Sequence, residues 1–100
     1  MSKRANGSVV VRHEVGMHAR PSVKLTQLAK SFDARIDLGP SPEGPWVDAK
    51  SIVKVMRTKT PRDAVLHFRA EGEDAESAVR ALIELIERDF EMEPSQEDKQ

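Results

Sequence analysis

The order of strand-like and helix-like segments constrains the fold of this 100-residue chain more than any other feature. Runs of β-branched residues or strict alternation predict strands, and apolar residues spaced by three and four predict helices. The order is strand, helix, strand, strand, helix, strand, helix, which is typical of one α+β domain with helices over one face of a sheet. The predicted segments are 8–13, 19–32, 34–38, 46–49, 51–57, 64–70 and 74–90.

The first and last predicted helices each carry an apolar stripe that would pack against the sheet. Asp74 precedes the last helix and is a suitable N-cap. The stripes consist of Leu25, Leu28, Ala29 and Phe32 in the first helix and of Val79, Leu82, Ile83, Ile86 and Phe90 in the last. Because both ends of the chain are polar, we predict a flexible N-terminus at 1–7, a folded domain at 8–90 and a polar tail at 91–100.

Composition excludes several classes of function. Sixteen basic residues balance seventeen acidic ones, which argues against a nucleic-acid partner or a polybasic membrane contact. The chain has no cysteine, and its three histidines show no spacing typical of metal ligands, so neither a metal nor another cofactor is expected. No apolar run has the length of a membrane span or a signal peptide, so we expect a cytoplasmic protein without membrane insertion.

The segment Gly16-Met17-His18-Ala19-Arg20-Pro21 stands between the first predicted strand and the first predicted helix. Glycine permits a sharp turn, and proline suits the first turn of a helix, where its missing N–H is not needed. His18 would therefore lie beside free N–H groups at the positive end of the helix dipole. Arg20 adds donors that suit a phosphate. The segment indicates an imidazole able to take up a phosphoryl group; the alternative is a surface histidine without chemistry, as we expect for His13 and His67.

These six residues resemble the active-site motif of the histidine-containing phosphocarrier proteins (HPr) of the bacterial phosphotransferase system. The likeness continues in matching order from about Val9 to Phe90. It implies an open-faced β-sandwich, in which three helices cover one face of a four-stranded antiparallel sheet. It also implies that enzyme I donates a phosphoryl group to His18, through Nδ1 in the family, and that Arg20 stabilises the phosphate. The chain would then be a carrier with a phosphohistidine intermediate and not an enzyme.

A second segment, residues 48–56, is similar to the family stretch around a serine that an ATP-dependent kinase phosphorylates in many Gram-positive relatives. The likeness implies regulatory phosphorylation of Ser51, while the local sequence predicts a helix N-cap at the same residue. Two features depart from the family pattern. Lys54 stands where many relatives carry glycine, and the proline-rich loop at 39–45 is about two residues longer than usual, by the same comparison with the family.

The resemblance also implies partners. Met17, Ile52 and Met56 would form an exposed apolar contact beside His18 for enzyme I, for downstream IIA acceptors and for an HPr kinase/phosphorylase, with the carrier itself a monomer. Two alternatives stay open. The nitrogen-related regulatory branch has carriers that share Gly16–Pro21 and Phe32-Asp33-Ala34. A small anion-binding module, in which His18 never becomes phosphorylated, belongs to another class of function.

Overall fold

A computed structural model of the protein describes residues 3–11, 19–58, 60–61 and 63–88. Four strands form one sheet in the order β1-β4-β2-β3, and every neighbouring pair is antiparallel. The strands are β1 (Arg4–Val10), β2 (Arg35–Gly39), β3 (Val47–Asp48) and β4 (Val65–Glu71). The helices are α1 (Ala19–Lys30), α2 (Ile52–Arg57) and α3 (Ala75–Glu87). The predicted order of elements and the α+β fold class are confirmed.

The central strand β4 shows how the sheet separates a core face from a solvent face. Leu66, Phe68 and Ala70 are buried, whereas Val65, Arg69 and Glu71, which alternate with them, are exposed. Such alternation follows from the two-residue period of a strand. His67 belongs to the solvent-facing set and is half-buried, so the position predicted for it is confirmed.

Helix α3 packs against β1, β4 and β2 on the core face. Gly7 in β1 allows the close approach of the helix, because a Cβ there would come within 2.8 Å of Ile83 Cδ1. The predicted stripe is confirmed at Val79, Leu82 and Ile86, and Ile83 is partly buried. Leu85 is also buried, although the stripe omitted it. Phe90 lies outside the described residues.

Strand β1 begins at Arg4, earlier than the predicted start at Ser8. The segment Ala5-Asn6-Gly7 has low intrinsic strand preference, which is why the sequence does not indicate it. Pairing with β4 compensates, since Arg4 lies opposite Glu71 and Gly7 opposite Phe68. The segment thus becomes a strand through a partner more than 60 residues away along the chain.

The solvent face of the sheet carries a cluster of charges around Asp37. The Asp37 carboxylate accepts a hydrogen bond from Arg69 Nε at 3.1 Å, and Arg35 Nε lies 3.6 Å from the same oxygen. The Arg69 guanidinium also stacks over the Trp46 ring, 4.4 Å from its centroid. Asp37 is therefore buried beside two arginines, one of which also packs against an aromatic ring.

Asp74 connects two distant parts of the chain. It occupies the N-cap position of α3 as predicted, but its side chain makes no capping hydrogen bond. Its carboxylate accepts instead from the N–H groups of Asp33, at 2.9 Å, and Ala34, at 2.8 Å. The hydrogen bond from Asp33 is the main reason that the pKa of Asp74 lies below its usual value. The turn between α1 and β2 is thereby tied to the start of α3.

We expect Asp74→Asn to lower the melting temperature at neutral pH, because a neutral amide is a weaker acceptor for the two N–H groups. A carboxyl whose folded pKa is depressed stabilises the protein above its unfolded pKa, about 3.9. That contribution is lost as the pH falls through the folded pKa. The gap in melting temperature between wild type and variant should therefore be widest above about pH 5 and should narrow progressively as the pH falls below about 4, toward the folded pKa.

The matched control is Glu73→Gln, which removes the neighbouring exposed carboxylate, whose ion pair with Lys3 is long at 3.9 Å. Thermal unfolding at several pH values measures both variants. A gap that stays constant between pH 3 and pH 7 would contradict the role assigned to the ionised Asp74 side chain.

Candidate functional site

Helix α1 begins at Ala19, directly after His18 in the sequence. Pro21 lies in its first turn, where N–H groups have no acceptor within the helix, so the predicted role of the proline is confirmed. Arg20 is exposed in the same turn and forms no ion pair with another described residue. Met17 and His18 lie outside the described residues, as does His13. The described part of the predicted site is therefore the helix start with its arginine.

The buried stripe of α1 differs from the predicted one. Leu25 and Ala29 are buried as predicted, while Leu28 and Phe32 are only partly buried. Two hydroxyl residues, Ser22 and Thr26, complete the buried stripe at helical spacing. Thr26 Oγ1 donates a hydrogen bond to the carbonyl oxygen of Ser22 at 2.9 Å, which satisfies the buried hydroxyl. A search for apolar residues at helical spacing does not include threonine, so the sequence analysis did not place Thr26 in the stripe.

This orientation of α1 leaves Val23 on its outer surface, where it is 41% exposed. The sequence analysis did not single out Val23 as a functional residue. Two features of the sequence could have indicated it. Val23 follows Arg20 within one helical turn, and other residues of α1 occupy the buried side of that helix. Val23 thus adds an exposed apolar side chain three residues after the candidate phosphate-binding arginine.

Ser51 is the N-cap of α2, as the local sequence predicted. Its Oγ accepts a hydrogen bond from the Lys54 N–H at 3.3 Å, and its carbonyl oxygen accepts from the Val55 N–H at 2.9 Å. The preceding turn is held by Asp48, whose carboxylate accepts from the Lys50 N–H at 2.9 Å. The Ser51 hydroxyl is therefore held in place at the start of the helix.

Helix α2 exposes two of its four apolar side chains. Only Val55 is buried, whereas Met56 is 40% exposed and Val53 55% exposed. Ile52 is half-buried. The predicted apolar contact is thus exposed at Met56, half-buried at Ile52, and extended by Val53, which the sequence analysis did not name. The sequence could have indicated this exposure, because four of the six residues of α2 are apolar and a helix this short cannot bury all of them.

Helices α1 and α2 pack against each other and contain no acidic residue. Helix α3, by contrast, carries three glutamates and one arginine. The near-zero net charge of the chain thus conceals a separation of charge among its helices. The basic residues of the first two helices are Arg20, Lys24, Lys30, Lys54 and Arg57.

Lys50 fixes the far end of α1. Its Nζ donates to the carbonyl oxygen of Phe32 at 2.7 Å, just beyond the last turn of that helix. Within the described ranges, no three acidic, histidine or cysteine side chains are arranged to hold a metal ion. Across those same ranges, no helix is long and apolar enough to cross a membrane. The described geometry is thus a helix start with a free cation, beside a capped helix with exposed apolar side chains.

The family model described as the PTS HPr component phosphorylation site matches residues 5–88. The chain belongs to the HPr family. The HPr of Xylella fastidiosa is 38% identical over 82 residues, which are 82% of this chain and 90% of that relative. The HPr of Pseudomonas aeruginosa is 34% identical over 82 residues, with the same coverage of both chains. The resemblance stated from the six-residue segment is confirmed.

The likeness to HPr extends to three dimensions. The crystal structure of HPr-C-His from Thermoanaerobacter tengcongensis covers 89% of this chain and 98% of its own, with a TM-score of 0.80 and 32% sequence identity. The open-faced sandwich implied by the resemblance is thereby confirmed. HPr proteins are phosphocarriers of the phosphotransferase system with a phosphohistidine intermediate, not catalytic enzymes, and the alternative of an anion-binding module is not favoured.

Proposed function

We propose that this chain accepts a phosphoryl group from enzyme I on His18 and passes it to downstream IIA acceptors. The observation that carries the proposal is the start of α1 at Ala19, which puts the histidine of the matched motif next to the helix N-terminus in sequence. The domain that does this is assigned to 8–90, and the family match begins slightly earlier, at residue 5. A cytoplasmic, monomeric carrier is part of the same proposal.

The transfer exchanges one phosphorus–nitrogen bond for another. The bond to the donor histidine of enzyme I breaks as a ring nitrogen of His18, assigned as Nδ1 by family resemblance, attacks phosphorus with its lone pair. The donor nitrogen keeps the electron pair of the broken bond. The first-turn N–H groups of α1 and the Arg20 guanidinium stabilise the negative phosphoryl oxygens. Each such contact is worth about 0.3–2 kcal/mol, which is enough to favour the bound group without preventing onward transfer.

Partner docking is assigned to the exposed surface of α1 and α2. Val23, Val53 and Met56 supply apolar contact area, and Met17 and Ile52 belong to the same proposed contact. The absence of acidic residues from both helices favours partners with an acidic surface, since charge complementarity accelerates encounter. The departure at Lys54 fits this surface, because it adds a cation where many relatives carry glycine.

Incubation with enzyme I and phosphoenolpyruvate, followed by intact mass measurement, tests the function. The mass should increase by one acid-labile phosphoryl group, and the absence of any increase would refute the proposed carrier function. Transfer onward to a sugar-specific IIA protein, set against transfer to the IIA protein of the nitrogen-related branch, then identifies the branch.

Ser51 is proposed as a regulatory phosphorylation site for an HPr kinase/phosphorylase. A phosphate there would meet the positive end of the α2 dipole and add a charge of about −1.5 to −2 beside the apolar contact. We expect Ser51→Asp to leave the melting temperature near that of wild type, because the carboxylate still accepts from the Lys54 N–H. The initial rate of His18 phosphorylation should fall, because the new charge repels an acidic donor.

Ser51→Ala is the matched control, because it removes the cap without adding charge. It should cost about 0.5–2 kcal/mol of stability and leave the transfer rate unchanged. If Ser51→Asp transfers at the rate of wild type, Ser51 is a helix cap alone.

A further inference from the structure

The exposed cations of α1 and α2 have no counter-ion in the described part of the molecule. Arg20, Lys54 and Arg57 are all exposed, and none of them forms an ion pair with a described residue. Three exposed apolar side chains accompany them on the same two helices: Val23, Val53 and Met56. We refer to these six side chains as the α1–α2 face. Asp33, Asp37 and Asp48 line a cleft with Lys54 and Arg57. None of the three aspartates forms an ion pair with either cation, so both cations can still attract an acidic chain.

An acidic segment exists in this protein itself. Residues 91–100 contain four acidic residues and one lysine, whereas residues 1–90 contain fifteen basic and thirteen acidic residues. The acidic residues of this tail are Glu91, Glu93, Glu97 and Asp98. The chain therefore holds an anionic tail and a cationic face of comparable charge.

The topology places the C-terminal end of α3, which precedes the tail in the chain, at the same end of the domain as the start of α1. Strands β1 and β2 are both antiparallel to β4, so they run in the same direction as each other. Helix α1, which connects them in the chain, must therefore start at the end of the sheet where β1 finishes and run back to the end where β2 begins. Helix α3 follows β4 and returns to the end where β4 begins, since Val65 pairs with Val10. Glu87, at the last residue of α3, lines a cleft with Val9 and Val10.

The tail is long enough to reach the face. Ten extended residues span up to about 33 Å. The twelve residues of α1 are about 18 Å long, so both ends of that helix are within reach. A tethered ligand acts at an effective concentration of about 1 mM or more when its linker matches the span. Weak individual charge pairs can then give a substantial bound fraction.

We propose that the acidic residues 91–100 bind the α1–α2 face of the same molecule, next to Arg20, Lys54 and Arg57. The tail is then a competitor for the surface that an acidic partner uses. The competition rests on the proposed function, because it assumes that the phosphoryl donor docks on this face. The binding of the tail does not depend on that assumption.

Neutralising the tail without shortening it gives the sharpest test. The tail variant is Glu91→Gln, Glu93→Gln, Glu97→Gln and Asp98→Asn in one chain. The control variant removes equal charge from four exposed sites elsewhere: Glu43→Gln, Glu73→Gln, Glu76→Gln and Glu84→Gln. Both variants keep chain length and net charge matched, so a difference between them reports the position of the charge.

Methyl resonances of Val23, Val53 and Met56 are the first readout, measured at low salt without any donor. The tail variant should shift them and the control variant should not. Raising the ionic strength to about 1 M, where the screening length is about 3 Å, should move wild type toward the tail variant. Equal resonances in wild type and the tail variant would overturn the proposal.

The initial rate of phosphorylation by enzyme I is the second readout. At low salt the tail variant should react several-fold faster than wild type, and the advantage should vanish at high salt. If the methyl resonances shift but the tail variant is phosphorylated at the rate of wild type, the tail does not compete with the phosphoryl donor for the α1–α2 face. A protein that takes up no phosphoryl group at all would refute the proposed function, while the methyl measurement would still decide whether the tail binds.

Discussion

His18→Ala is expected to abolish acid-labile phosphorylation by enzyme I, since it removes the only side chain proposed to bond the phosphoryl group. We expect the fold to persist, because the described residues form a hydrophobic core among themselves. Intact mass after incubation with enzyme I and phosphoenolpyruvate measures the loss, and circular dichroism checks the fold.

The other two histidines supply the controls for His18. His67→Ala alters a half-buried side chain on the solvent face of the sheet and should retain full transfer. His13→Ala should do the same. Phosphohistidine in the His18→Ala variant, or its loss in a folded His67→Ala variant, would place the acceptor somewhere else.

Arg20→Glu is expected to slow transfer both to and from His18 by about tenfold or more, because like charge then faces the phosphoryl oxygens in the first turn of α1. Lys30→Glu is the matched control, since it makes the same change of charge in the last turn of the same helix. The two sites are ten residues apart, about 15 Å along the helix axis.

Stopped-flow measurement of transfer in both directions would separate a local effect of Arg20 from an effect of the overall charge of α1. The melting temperature of each variant checks its stability. A local role for Arg20 predicts slow transfer in Arg20→Glu and nearly normal transfer in Lys30→Glu. Equal slowing in both variants would mean that only the overall charge of α1 matters. Normal rates in both would leave the helix N–H groups as the main stabiliser.

The sequence predicted those features that depend on neighbouring residues. The start of α1 near Pro21 and the cap formed by Ser51 are set within one helical turn, and both were predicted. The apolar stripe of α3 was largely predicted for the same reason, because helical spacing is visible in the sequence. The fold itself became predictable only through family resemblance, since periodicity does not specify which strands pair.

Features that depend on distant residues were not predicted. Asp74 bonds to N–H groups at residues 33 and 34, and no local pattern distinguishes that role from a helix cap. Thr26 can be buried because its hydroxyl donates a hydrogen bond to a carbonyl oxygen one turn earlier in the helix. The search for an apolar stripe left it out because threonine is polar. The exposure of Val23 and Val53 follows from how α1 and α2 are oriented in the packed structure, which their sequences alone leave open.

The place of β4 in the sheet has a consequence for how the chain reaches its fold during synthesis. Strands β1 and β2 are separated in the sheet by β4, so neither has a neighbour on that side until residues 65–71 have been made. Most of the chain must therefore leave the ribosome before the sheet can close. Pairing between such distant segments slows folding relative to helical bundles of the same size. Until β4 has been synthesised, β1 has no partner strand in the sheet, and its unpaired backbone groups are open to wrong pairing with other strands.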